Sequence, residues 1–266
     1  MSKKIDLETT KSQHKGFLGL FESTMRRFTI LVHLGLMIPI YLVACAVLGT
    51  ALIPSVYTFK FFHNLVLNQN EFIQNATFAL SLAMCYFIYG CTLVFVAPLT
   101  NFIFQAKLKE WRGPYYSVES LKWFIHNGLT YLVRFTFLEF LTPSPLGLLF
   151  YRMMGMKMGK GVVINTTWIS DPSLIELGNK VTLGGSVTLV AHYGQGGLLI
   201  VAPVRIGNNC TIGLKSTVMG GVTIGDGAKL LPHSIVLPKT VIPAGETWGG
   251  VPAAKIDLYK LIKNAA

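Results

Sequence analysis

A chain of 266 residues with 52% hydrophobic and only 13% charged residues is too apolar for an ordinary soluble domain. The apolarity is concentrated before Phe150, while Gly and Pro punctuate the remainder, so two kinds of structure share the chain. A net charge of +11 would suit nucleic acid in a soluble protein. Here the basic residues flank long apolar runs and no aromatic-interleaved basic module accompanies them, so nucleic acid is not the expected partner.

Residues 1–27 form a basic N-terminal segment carrying Lys3, Lys4, Lys11, Lys15, Arg26 and Arg27. From Phe28 to Phe59, and again from Phe72 to Ala106, there is no Asp, Glu, Lys or Arg. A membrane span needs about 20 apolar residues, so each run predicts a transmembrane helix with length to spare. Residues 28–106 are therefore expected to form a helical hairpin, connected from Lys60 to Glu71, with Pro39, Pro54 and Pro98 as kink points. The first run begins too late and runs too long for a cleaved signal segment. Both outer flanks are basic, with Lys107, Lys109 and Arg112 after the second run, whereas the connection carries only Lys60 among Lys and Arg. Positive charge stays inside, so both hairpin ends are predicted to be cytoplasmic in an inner or plasma membrane, against anionic lipid headgroups. His33 reads as a neutral imidazole at headgroup level.

Residues 107–160 read as an amphipathic connector. Lys122, His126, Thr130 and Arg134 recur every four residues, with Glu119 ahead of them and Leu121, Phe124, Ile125, Leu129, Leu132 and Val133 on the remaining faces. This pattern predicts a helix that lies in the interface or packs on the hairpin, with His126 in its polar stripe rather than in a catalytic role. The four cysteines predict no disulfide framework: Cys45, Cys85 and Cys91 lie in apolar runs and Cys210 on a repeat position. No Cys/His cluster has metal-ligand spacing, so no metal is expected.

Residues 161–256 carry a period of six. Aliphatic side chains recur at Val163, Ile169, Ile175, Val181 and Val187, and again at Ile200, Ile206, Ile212, Val218, Ile224, Leu230, Val236 and Ile242. Small residues follow four positions later, as at Thr167, Ser173, Ala191, Cys210, Ser216, Ala228 and Ser234. Neither a helix nor an alternating strand has this period; a three-sided prism does, with the aliphatic residue inward and the small one at the corner. Glycine in Ile206-Gly207, Ile212-Gly213 and Ile224-Gly225 suits tight corner turns. The beat slips between Val187 and Ile200, where "LVAHYGQGGLLIVAP" predicts a loop leaving the prism after His192. Residues 257–266 form a short tail. The expected class is α + β: a transmembrane helical hairpin and interfacial helix, then a β-helix of hexapeptide repeats.

The stretches "IGNNCTIGLKSTVMGGVTIGDGAKL" and "VIPAGETWGGVPAAKI" resemble hexapeptide-repeat acyltransferases such as the galactoside and xenobiotic acetyltransferases. "WRGPYYSVESLKWF", "TPSPLGLLFYRMMGMKMGKGVVIN" and "ISDPSLIELGNKVTL" are similar to the membrane-anchored hexapeptide module that ends the poly-lysine synthetase class of peptide synthetases. The resemblance implies a left-handed parallel β-helix, a homotrimer with sites at subunit boundaries, and His192 as the base that deprotonates the acceptor. It also implies a thioester donor, acyl-CoA or a phosphopantetheine-linked acyl group on an acyl- or peptidyl-carrier protein. An oxyanion would want a backbone N–H, for which the turn at Gly213 and Leu214 is the candidate. The family often has Ser where Leu214 stands, which weakens any claim for a soluble sugar acceptor. Lys215, Lys239, Trp248 and Lys255 are the candidates for contacts to the donor, with a solvated surface as the alternative for each.

Position then suggests the acceptor: a hairpin anchor holds the His192 loop near the bilayer, so a hydroxyl or amine on a membrane-proximal molecule is expected. The alternatives are a peptide-bond-forming module fed by an aminoacyl thioester, and a non-catalytic trimeric membrane scaffold.

Overall fold

The computed structural model describes residue 12 and residues 14–257. Lys3, Lys4, Lys11, most of the C-terminal tail and the side chain of His33 lie outside the described residues. The basic segment before the first apolar run contains a helix, α1 (Gly16–Arg27), which buries Gly19, Glu22 and Met25. Its charges do not all face water: Glu22 is paired with Arg26, one turn further on.

Helices α2 (Thr29–Leu65) and α3 (Glu71–Ile103) are the two charge-poor runs, and both continue through their prolines. Only 11% and 22% of the residues in their most apolar stretches are buried, so most of this apolar surface has no protein cover. The helices pair closely, and a reciprocal polar clasp joins them: Ser55 Oγ donates to the Cys85 carbonyl at 2.7 Å and Cys85 Sγ to the Ser55 carbonyl at 3.1 Å. The connection is tighter than Lys60 to Glu71, because α2 runs to Leu65 and Asn70 caps α3 by accepting from the Ile73 amide. Midway along α3, Tyr86 and Phe87 meet Phe137 and Phe140 in a cluster of edge-on and stacked rings. Gly90 permits it, since a methyl group there would lie 2.0 Å from the Phe137 ring. Gly90→Val is expected to destabilise the fold by about 1–3 kcal/mol through overpacking, read as a lowered midpoint of thermal unfolding in detergent.

Helix α4 (Val118–Thr136) begins with a capping box between Ser117 and Ser120. It does not lie polar side outward. His126, Asn127, Thr130 and Arg134 are all buried, because α4 is wedged between α3 and the repeat domain and polar partners meet it from both sides. The four-residue spacing is right, but three members of that stripe face inward and only Lys122 is exposed. Helix α5 (Pro145–Met153), started by Ser144 and Pro145, closes the open end of the prism with Phe150, Tyr151 and Met154.

The remainder is a parallel β-helix of three faces, with sheets of five, six and four strands. The first face stacks Lys157–Met158, Ile175–Leu177, Val204–Ile206, Thr223–Ile224 and Val241–Ile242. The second stacks Val163–Ile164, Thr182–Leu183, Thr211–Ile212, Lys229–Leu230 and Thr247–Gly249, and Ala254–Lys255 adds an antiparallel edge. The third stacks Ile169–Ser170, Thr188–Val190, Thr217–Val218 and Ile235–Val236. Ile212 lies beside Leu230 and Val218 beside Val236, so three hexapeptides make one coil.

Four details of the repeat differ from the six-residue beat. Leu177, Leu183 and Leu189, each two positions after the expected Ile175, Val181 and Val187, are the residues that stack on Ile206, Ile212 and Val218. Val163 is 47% exposed and Ile164 takes its inward place at 4%. Ile200 is not on a prism face but in a hairpin, described below. The glycines of the Ile-Gly pairs are required by the next coil rather than by left-handed backbone: a methyl group on Gly213 would lie 2.4 Å from the Pro232 amide, and one on Gly225 2.5 Å from that of Ala244. The left-handed corner positions fall two residues further on, to Asn209, Lys215, His233 and Lys239 as well as to Gly221, Gly227 and Gly245.

Candidate active site

The register slip is a whole hairpin extruded from one corner. His192–Gln195 and Leu198–Val201 pair antiparallel, and Gly196-Gly197, with φ of 56° and 72°, makes the two-residue turn between them. A strand from the connector, Trp111–Pro114, pairs with the outer side of Leu198–Val201, so a small three-stranded sheet fixes the base of the hairpin. The four residues Leu198–Val201 are buried. His192, at the root of this sheet, therefore stands on a rigid element rather than on a loose loop.

Directly below it, one coil earlier on the same corner, is Asp171. It adopts left-handed backbone (φ 58°), a conformation Asp tolerates, and is fully buried. Its Oδ2 lies 2.5 Å from His192 Nδ1 and accepts from the Ala191 amide at 3.0 Å. Its Oδ1 accepts from Asn127 Nδ2 at 2.7 Å, while the Asp171 amide donates to Asn127 Oδ1 at 3.0 Å. A buried carboxylate with donors on both oxygens is the arrangement that a buried charge requires. The carboxylate fixes the proton on His192 Nδ1 and leaves the Nε2 lone pair free to accept. Trp123 of α4 packs edge-on to the imidazole, with centroids 5.0 Å apart, and the His192 side chain keeps 22% exposure. Above it, Gly220 allows the next coil to close in, since a methyl group there would lie 3.0 Å from the His192 amide.

Sequence reasoning picked out His192 and missed Asp171, Asn127 and Trp123. The other candidates are scattered. Gly213 and Leu214 turn the corner between the second and third faces, whereas His192 turns the corner between the third and the first. The Gly213 amide already donates to the Leu230 carbonyl at 2.8 Å, so that N–H is spent on the coil ladder and unavailable to an oxyanion. Lys239 shares the corner of His192 and packs over Gly221; Lys215 stands on the corner of Leu214. Trp248 and Lys255 are register partners on the second face, and both are held by Glu246, through Trp248 Nε1 at 2.8 Å and Lys255 Nζ at 2.5 Å. Lys255 thus has its charge met, while Lys215 and Lys239 have no carboxylate within 4.0 Å among the described residues. His233 is exposed, as its corner position predicts.

His14 Nε2 lies 3.0 Å from Glu119 Oε1 and 3.6 Å from Glu22 Oε2. Glu22 is already neutralised by Arg26 and accepts from Ser12 Oγ at 2.9 Å, so this cluster is a charge network tying α1 to α4. His126 is buried, with Nδ1 2.9 Å from Asn101 Oδ1 of α3, and burial pushes its pKa down to about 4 against the pull of Asp171. Its ordinary value is 6.5, so between these pH values the unfolded chain binds the proton and the folded one does not. Stability is therefore expected to fall by about 3 kcal/mol as pH drops from about 6.5 to about 4. Thermal unfolding across that range, with the pH dependence of a His126→Asn variant subtracted, measures the contribution.

The three-faced prism of hexapeptides is the fold of hexapeptide-repeat acyltransferases. Residues 203–230 match the family described as "Hexapeptide repeat of succinyl-transferase". Protein CapG of Staphylococcus aureus is 32% identical over 133 residues, covering 43% of this chain and 75% of that protein. The chain belongs to the hexapeptide-repeat acyltransferase family. The Delta-poly-L-ornithine synthetase of Acinetobacter baumannii is 24% identical over 188 residues, which cover 69% of this chain and 14% of the synthetase. A 2,3,4,5-tetrahydropyridine-2,6-dicarboxylate N-succinyltransferase of Polynucleobacter asymbioticus is 34% identical over 113 residues, covering 40% of this chain and 38% of the enzyme. The chain thus spans a minor part of the length of these last two relatives.

Proposed function

We propose that this protein transfers an acyl group from a thioester, on CoA or on a carrier-protein pantetheine, to a hydroxyl or amine of a membrane-proximal acceptor. The observation that carries the reading is His192 Nδ1 held 2.5 Å from the buried Asp171 carboxylate, with the rest of the ring partly open to solvent. His192 Nε2 takes the proton from the acceptor O–H or N–H as its heteroatom bonds to the thioester carbonyl carbon. The C–S bond then breaks, and the thiolate leaves with the proton that the imidazolium returns. Gly213 and Leu214 remain candidates for the oxyanion only through the Leu214 amide. Because that corner differs from the corner of His192, the contact would come from a second copy, consistent with a homotrimer. Lys215 and Lys239 are the cations available to donor phosphates.

The uncovered apolar faces of α2 and α3 support insertion in a membrane, with both hairpin ends and the β-helix in the cytoplasm by the positive-inside rule. The protein is expected to stay in the membrane pellet after alkaline carbonate extraction; recovery in the supernatant would remove the anchor from this reading.

The 188-residue likeness to a polyornithine synthetase, which extends beyond the repeats, favours a second reading: amide formation from a carrier-bound aminoacyl thioester. One assay separates the two. Purified protein receives radiolabelled acyl-CoA, or a carrier loaded with a labelled aminoacyl group, together with membrane extract. Label transfer from CoA that is lost in His192→Ala supports the first reading. Transfer from the aminoacyl carrier alone supports the second, and no transfer from either donor leaves the scaffold.

A further inference from the structure

We infer that Asn127 of α4 is a positioning residue for acyl transfer, and that the helical part of the chain thereby sets the geometry of a site whose base lies in the β-helix. This rests on the catalytic reading of His192. The side chain of Asn127 makes two bonds to one residue: it donates to Asp171 Oδ1 and accepts from the Asp171 amide. Those two bonds fix both the backbone and the carboxylate plane of Asp171, and that plane aims Oδ2 at His192. A carboxamide donates at one atom and accepts at the other whatever the pH. Asn127 itself is 4% exposed, so solvent cannot take over either bond.

The clamp is connected. His126, the preceding residue, bonds to Asn101 of α3, and Trp123, one turn earlier, packs on the His192 ring. A polar chain therefore runs from α3 through one turn of α4 to Asp171 and His192. The prism does not need it: the strands on either side of Asp171 pair parallel with their neighbours on their own faces. Asn127 instead ties the position of α4 to the orientation of the catalytic pair. The other charged groups near the pair are few. His126 is neutral above about pH 4 through burial, and Lys239 lies on the same corner further along the prism.

The test is kinetic, on the full-length protein in detergent or vesicles, with acyl-CoA and the acceptor found above. Asn127→Ala is expected to lower kcat by about 10–100-fold while KM for the donor stays within about twofold. Asn127→Asp puts a second carboxylate beside Asp171, which favours the imidazolium; the acidic limb of the pH–kcat profile is expected to move up by about one pH unit. Asn127→Ser, with one donor and one acceptor, is expected to fall between alanine and wild type in kcat, and serves where the aspartate variant does not fold. Wild-type kcat and pH profile in these variants would overturn the inference, as would losses that only track the folded fraction. His192→Ala is the control: if it remains active, the catalytic reading has failed, whereas an inactive His192→Ala beside unaffected Asn127 variants overturns the positioning role alone.

Discussion

Asp171→Asn is expected to yield a folded protein that transfers acyl groups about 10²–10⁴-fold more slowly than the wild type. The substitution is isosteric, so packing is kept, but the hydrogen-bond logic inverts. All three partners of the carboxylate, the Ala191 amide, His192 Nδ1 and Asn127 Nδ2, act as donors in the arrangement described. An amide offers one acceptor and one donor atom. If its NH₂ faces His192, the imidazole must accept at Nδ1 and carry its proton on Nε2, where it can no longer act as a base. If the NH₂ faces Asn127, two donors meet and the clamp must turn over. Release of free CoA thiol measures the rate, and circular dichroism checks the fold. A loss below about fivefold would remove Asp171 from the mechanism.

The hairpin of long helices was readable because the absence of charge over such lengths admits few alternatives, and the prism because a period of six matches no other regular structure. The same reasoning misplaced Ile200, for a physical reason. A hairpin strand buried on a prism edge selects the same aliphatic residues as a prism face, and Leu198–Val201 is buried throughout. Counting beats could not tell one from the other. The glycines were read as turn formers, whereas the neighbouring coil, invisible in a local window, is what excludes a side chain at Gly213 and Gly225.

The site was half legible. His192 stood out because the beat slipped beside it. Asp171 did not: other corners of the prism carry Lys215, His233 and Lys239, so a charged residue at the corner in "ISDPS" gave no sign that this carboxylate turns inward. Asn127 and Trp123 were hidden by the direction of α4. The polar spacing along that helix was correct, but a polar stripe is ordinarily taken to face water. Here Asn101 on one side and Asp171 on the other turn it into the packed face. Which way an amphipathic helix turns is decided by its partners, and those lie 25 or more residues away in the chain.

His192→Ala should remove general-base catalysis altogether, a loss of about 10²–10⁴-fold in kcat, with KM for the thioester little changed because the ring is not the expected donor contact. Removal of the imidazole also leaves Asp171 with one donor fewer, although the Ala191 amide and Asn127 still hold it. Stability should therefore fall modestly, by about 1–2 kcal/mol. The more searching measurement is the double variant. If Asp171 acts only through His192, then once the imidazole is gone, Asp171→Asn has nothing left to orient. His192→Ala with Asp171→Asn should be as slow as His192→Ala alone, within about twofold, far from the product of the two single losses. Losses that multiply instead would mean that Asp171 touches the reaction by a route of its own, and the carboxylate, not the imidazole, would then have to be placed against the acceptor.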